Sequence, residues 1–207
     1  MPDTAIPHES VVTTGPTGPL GRADRRATIL AGAAQAFATQ GYATTSMEEI
    51  AAASGITKII VYRHFDSKEA LYRAVLEDVH ARLAEEFRIQ WSDAPGGITR
   101  SMLRVARDRP DAVRLLWRQS VREPEFAEYA NELRERAVDV SRTLLAEYVD
   151  PAMFEWAAHT CVGWLVESVL AWLDYGDPDR DEQFVSDATA ALRGAVGAWV
   201  SARSPAV

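Results

Sequence analysis

Two stretches of this sequence gather side chains able to do chemistry. The first, Thr57-Lys58-Ile59-Ile60-Val61-Tyr62-Arg63-His64, interleaves cations, a phenol and an imidazole with three β-branched aliphatics, and Lys68 follows it. Ammonium, guanidinium and hydroxyl groups grip phosphate or read guanine, and aliphatic groups bury thymine methyls. The second holds His159, Cys161 and Glu167 inside the apolar run 156–173. Imidazole, thiolate and carboxylate are metal ligands, but at about 100° per helical residue His159 and Cys161 stand about 200° apart and do not share an ion. A satisfied core histidine and an inert buried thiol are expected there. The sequence has no Gly-rich phosphate loop, nucleophile elbow or HExxH. Neither catalysis, a metal nor a cofactor is expected.

The elements around the first stretch decide how it is presented. Ile59-Ile60-Val61 alone favours a strand, yet no other run alternates like a partner strand. Ser46-Met47-Glu48-Glu49 has the form of a capping box. It predicts a helix from Ser46 to Ala53, a turn at Ser54-Gly55-Ile56, and a second helix from Thr57 to Phe65. On that second helix Val61 and Phe65 fall together toward a core, with Thr57 at its start. Lys58, Ile59, Tyr62 and Arg63 spread over the opposite side, flanked by Ile60 and His64. Ile60 reads equally well as a packing residue. Exposed isoleucines beside Lys, Tyr and Arg suit a helix lying in a DNA major groove.

The rest of the chain reads as all-α, about nine helices. Residues 1–21 are rich in Pro, Gly and Thr and read as a disordered arm. A helix from Arg22 places Ile29, Ala33, Ala36 and Phe37 on one face, and Gly41 is expected to end it as a left-handed cap. A third domain-scale unit, 67–203, follows the helix-turn-helix unit 22–66. It opens with a helix over 67–91 that joins the two, carrying Leu71, Val75, Val79, Leu83 and Phe87 as its buried stripe. Further helices are expected over 98–109, 110–122, from Pro124 with Phe126, Ala130, Leu133, Ala137, Val140, Leu144 and Tyr148 in register, from Pro151 to Tyr175, and over 179–202. Glu167 and His159 within the most apolar of these argue for a buried soluble helix and against a membrane span.

Net charge is −8, unfavourable for nucleic acid if uniform. It is not uniform. Residues 22–68 carry six basic and four acidic side chains, including both lysines, whereas 92–207 carry thirteen arginines and nineteen acids. A mildly basic unit on an acidic body permits binding to DNA at one end. The single cysteine suits a reducing cytoplasm, and no basic-then-apolar leader is present at the N-terminus.

Over residues 29–71 the chain resembles the N-terminal helix-turn-helix domain of the TetR family of transcriptional regulators. The resemblance rests on Phe37, Gly41, Tyr42, Thr45, Ser46, Ile50, Ala51, Gly55, Tyr62, His64, Phe65, Lys68 and Leu71 in their spacing. It implies a homodimer that binds a palindromic double-stranded DNA operator and is released by a small apolar effector. It also implies phosphate contacts from Thr45, Tyr62, His64 and Lys68, and base contacts from Thr57, Lys58, Ile60, Tyr62 and Arg63, with Ser46 counted among the DNA-binding residues and Ile59 added by its outward position. Positions 59, 60 and 61 depart from the family pattern, so base readout is not copied from a relative. Glu48 points to the same side and either rejects phosphate or accepts from cytosine N4. The effector pocket implied by the resemblance would draw on Phe87, Met102, Trp117, Phe126, Tyr129, His159 and Trp164. The last two helices would form the dimer seam, with Ala188, Ala191, Ala195 and Trp199 on one face. The competing readings are an effector-independent DNA-binding activator and an all-α enzyme acting on apolar substrates.

Overall fold

A computed structural model describes residues 21–89 and 96–201. These form nine α-helices: α1 (Arg22–Gln40), α2 (Met47–Ala53), α3 (Lys58–His64), α4 (Lys68–Ile89), α5 (Gly97–Asp108), α6 (Pro110–Arg114), α7 (Ala127–Leu145), α8 (Phe154–Tyr175) and α9 (Asp181–Ser201). The all-α expectation holds. The arm expected over 1–21 lies, apart from Gly21, outside the described residues. None of the described helices is long and apolar enough to cross a membrane.

The first three helices make a small head. Ile29, Ala33 and Phe37 of α1 are buried with Ile50 of α2, Val61 of α3 and Leu71 of α4. A helix as short as α2 or α3 does not hold itself together in water, so this packing sustains both. Gly32 is where α1 and α2 approach most closely: a Cβ built there meets Ser54 Oγ at 2.3 Å and the Ser54 backbone N at 2.6 Å. Gly41 ends α1 at φ 86° and ψ 159°. That is a conformation essentially reserved for glycine, though not the left-handed helical cap the sequence suggested.

The body is built on α4, whose buried stripe runs through Leu71, Val75, Val79 and Leu83 as expected. Phe87 continues that helix, but its side chain lies outside the described residues, as does Trp91. The helix expected over 110–122 is broken. After α6 the chain winds as a π segment over Leu115–Gln119 and a 3-10 turn over Ser120–Arg122. Leu115, Leu116 and Trp117 are all buried because this segment has α1 and α4 on one side and α7 on another. Further along, α7 begins at Ala127, not Pro124, and its stripe shifts: Val138 and Leu145 are buried while Leu144 and Tyr148 are half exposed. A helix packed against α4, α8 and the π segment has no single straight buried stripe.

Head and body meet through rings. Tyr72 of α4 stands edge-on to Phe37 of α1 at 4.9 Å and to Tyr42 of the α1–α2 loop at 4.8 Å, and lies 4.3 Å from Phe126 just before α7. Tyr42 and Phe126 are themselves 4.9 Å apart. Each such pair contributes roughly 0.5–1.5 kcal/mol beyond its buried area. Lys68 and Arg73 close the cluster with cations over the Tyr42 and Phe126 rings. Gln119 adds a second tie, donating its amide to the Ala38 carbonyl of α1 at 2.9 Å.

Replacing Gly32 with Ala therefore forces the α2 C-terminus off α1. The variant is expected to lose about 1–3 kcal/mol, as overpacked sites do, read as a lowered urea midpoint with unchanged slope.

Candidate nucleic-acid interface

The α2 N-terminus is held by the capping box the sequence predicted. Ser46 Oγ accepts from the Glu49 N–H at 3.2 Å, and the Ser46 N–H donates to Glu49 Oε2 at 2.7 Å. The turn into α3 passes through Gly55 at φ 63°, where an added Cβ would meet nothing, so the demand there is on the backbone alone. Ile56 N–H returns to the Ala51 carbonyl at 3.0 Å and fixes the angle between the helices.

Two buried anchors, Val61 at 0% and Phe65 at 6% exposure, set the rotation of α3. The opposite face is then forced outward. Ile59 is 69% and Tyr62 44% exposed, and Thr57, Lys58 and Arg63 are exposed with them. Ile60 and His64 are half-buried at the flanks. For Ile60 this places it against the head as much as in front of it. Thr57 caps α3 by backbone position only, with no side-chain cap bond.

Electrostatics concentrate at one pair. Lys58 Nζ donates to Glu48 Oε1 and stands 5.6 Å from the centre of the Tyr62 ring. That hydrogen bond holds the Glu48 carboxyl below and the Lys58 ammonium above their ordinary pKa values. The residue types on this face suit major-groove edges and phosphates.

Two expected phosphate ligands are placed otherwise. Thr45 is buried at 1%, and its hydroxyl donates to the Gly41 carbonyl at 2.7 Å, so it serves the loop from inside. Its neighbour Thr44 is the exposed one; nothing in a Thr-Thr pair says which side chain turns in. Lys68 donates to the carbonyls of Tyr42 at 2.8 Å and Ala43 at 3.1 Å. It is a strut between α4 and the α1–α2 loop, with one of three N–H donors beyond those bonds. Arg26 lies with its guanidinium 5.4 Å from the centre of the Phe65 ring.

Of the seven expected effector residues, the six whose side chains are described line neither of the two clefts found among the described residues. Phe126 belongs to the ring cluster, and Met102 and Trp117 are buried in the core. Tyr129 donates to Glu77 at 3.3 Å, and Trp164 is half-buried. His159 is exposed on α8, 4.0 Å from Glu155, so it is neither a core histidine nor a pocket wall. Cys161 is buried, as expected, and burial raises its thiol pKa. A cleft of about 320 Å³ lies instead between α1, α4 and α6, with Leu30, Ala34 and Val75 among its apolar walls and Arg26, Arg82 and Arg109 on its rim. A more open groove lies between α5 and α9, at Arg100, Val185 and Thr189. Sequence periodicity finds buried aromatics but says nothing of the gaps between them.

Residues 29–75 match the model of the bacterial regulatory proteins of the tetR family. An uncharacterized helix-turn-helix-type transcriptional regulator of Mycobacterium tuberculosis is 30% identical over 166 residues, 74% of this chain and 76% of that protein. A helix-turn-helix-type transcriptional repressor of the same species is 40% identical over 80 residues, 39% of this chain and 41% of that protein. The chain thus spans well under half the length of that relative. Among solved structures, a TetR-like transcriptional regulator from Rhodococcus sp. RHA1 superposes with a TM-score of 0.72 at 22% identity, covering 86% of this chain and all of that one; this likeness is one of fold.

Lys68→Met should cost about 1–2 kcal/mol in thermal unfolding, since two carbonyls lose a charged donor. Tyr62→Phe, which has no such bond, should leave the melting temperature in place; equal shifts for both would contradict the strut.

Proposed function

The chain belongs to the tetR family of bacterial regulatory proteins, and from that premise we propose that it is a homodimeric repressor of a palindromic operator, released by a small effector. Proteins of this family generally bind DNA as dimers and often respond to small molecules. The observation that carries the reading is the outward face of α3, where Ile59 is 69% exposed beside Lys58, Tyr62 and Arg63. A large exposed aliphatic flanked by cations suits a major groove. Two copies present two such helices, and a palindrome spaced at roughly 34–36 Å accepts both.

The seam is proposed at α8 and α9, on a face that keeps Ala191 and Trp199 of the one the sequence suggested but not Ala188 or Ala195. Ala188 is buried and Ala195 half-buried, so both face this chain's own core. Ala191, Gly194 and Ala198 are exposed on α9, and Trp156 is 48% exposed on α8, with its ring 4.8 Å from that of Trp199. A Cβ added at Gly163 or Gly194 meets open space, so a facing helix can approach closely there.

An effector is supported by polar atoms left over in the body. Ser101 Oγ, Trp117 Nε1 and Tyr72 Oη are buried with no hydrogen-bond partner among the described residues. Each such group costs about 1–3 kcal/mol, which a bound ligand would offset. The second reading, a regulator that answers to no effector, is favoured by the burial of Met102, Trp117 and Phe126 in the core. Thermal shift against a panel of lipophilic compounds separates the two: a compound that raises the melting temperature and lowers operator affinity supports the first.

Gly194→Glu should convert a dimer to a folded monomer, measured by light scattering, because the new carboxylate has open space in one chain and none in a seam. On DNA, exchanging the critical thymine of a selected half-site for uracil removes only a methyl group. Wild-type protein should lose roughly fivefold in affinity, as burial of one methyl-sized group implies, and Ile59→Ala should be nearly indifferent to the exchange. Equal wild-type binding to both duplexes at every thymine would make Ile59 a bystander.

A further inference from the structure

Lys58 is exposed on the outward face of α3, and its bond to Glu48 means that it does not read a base alone. Its ammonium is bonded to Glu48, which is exposed in the first turn of α2 on the side that α3 presents. The Glu48 carboxylate is therefore carried toward DNA together with Lys58. A lone carboxylate there would be repelled by the phosphates, and a lone lysine would be drawn to them as a point charge. Bonded together, they are nearly neutral and keep hydrogen-bonding capacity: Lys58 has two further N–H donors, and Glu48 has its second oxygen. The Tyr62 ring, 5.6 Å from the ammonium, backs the pair from the α3 side.

Resting on the DNA-binding reading above, we propose that Glu48 is a specificity-determining residue, and that Glu48 and Lys58 read one G·C pair per half-site as a unit. Guanine presents N7 and O6 acceptors in the major groove, and its paired cytosine presents the N4 donor. Lys58 meets the guanine edge and Glu48 accepts from the cytosine. The pairing also keeps Lys58 off phosphate, which suppresses binding to unrelated duplex.

The experiment selects duplexes from a pool with a randomised core, using the full chain as wild type, as Glu48→Gln, and as the double variant Glu48→Lys with Lys58→Glu. Helical content and melting temperature are recorded for all three, because Glu48 lies outside the Ser46–Glu49 capping box. The wild type should fix a G·C pair at one position in each half-site. For Glu48→Gln, discrimination at that position should fall at least about fivefold, the lower end of what one good side-chain-to-base match supplies. Its binding to an unselected duplex should strengthen, with the slope of log affinity against log salt steeper by roughly one unit per half-site as Lys58 turns to phosphate. The charge-swapped variant keeps the ion pair and exchanges donor for acceptor, so it should lose the G·C preference at that position alone. If either variant selects the same sequence as wild type with the same slope, the pair is a surface contact and the proposal falls. If the wild type itself selects no sequence, the DNA-binding reading falls with it.

Discussion

The orientation of the reading face depends on a cluster of rings that lies wholly outside α3 and draws on residues from Phe37 to Phe126. Tyr72, Tyr42, Phe37 and Phe126 join α1, the α1–α2 loop, α4 and the start of α7. The cluster ties the head to the body, and within the head α2 and α3 have seven residues each and do not persist alone. Aromatic rings suit the task because they bury large area and meet edge to face at defined angles. Burial raises the Tyr72 phenol well above its usual pKa.

The body distributes its charge differently from the head. Arginines of α5, α6 and the π segment reach carboxylates on α8 and α9: Arg107 to Asp181, Arg100 to Glu182, and Arg114 with Arg118 to Asp174. Most of these are exposed and individually worth little. Asp181 is the exception in geometry, since it takes two bonds from Arg107 and a third from the Trp172 indole N–H at 2.6 Å; these donors hold its carboxyl below the usual range. In the head the acids Glu48 and Glu49 are spent on Lys58 and on the α2 cap. The negative body and the mildly basic head follow from their residue counts, and placement decides which of those charges are paired.

A chain of hydrogen bonds also runs from the body to the head. Asp174 of α8 holds Arg114 and Arg118, the π segment that carries Arg118 also carries Gln119, and Gln119 holds the Ala38 carbonyl near the end of α1. The π winding leaves Leu115, Leu116 and Trp117 buried in a row, and such windings concentrate at functional sites. The about 320 Å³ cleft lies beside the same joint, bounded by α1, α4 and α6.

The sequence by itself determined the helical class, the head, and the outward face of α3. These follow from local rules: a capping box at Ser46 and Glu49, a glycine turn at Gly55, and the 3.6-residue spacing of Val61 and Phe65. The resemblance to a known family rested on that same local pattern. Tertiary structure decided what local rules do not contain. Thr45 turned inward and Lys68 became a strut because the α1–α2 loop has carbonyls that need donors. His159 came out to the surface while Cys161, two residues on, went in, because α8 buries only one side. The stripe of α7 shifted to Leu145, and α9 turned Ala188 toward the core, because each of those helices meets its neighbours on more than one face. Periodicity marks which residues are apolar; only the partners they meet decide which way a helix is turned.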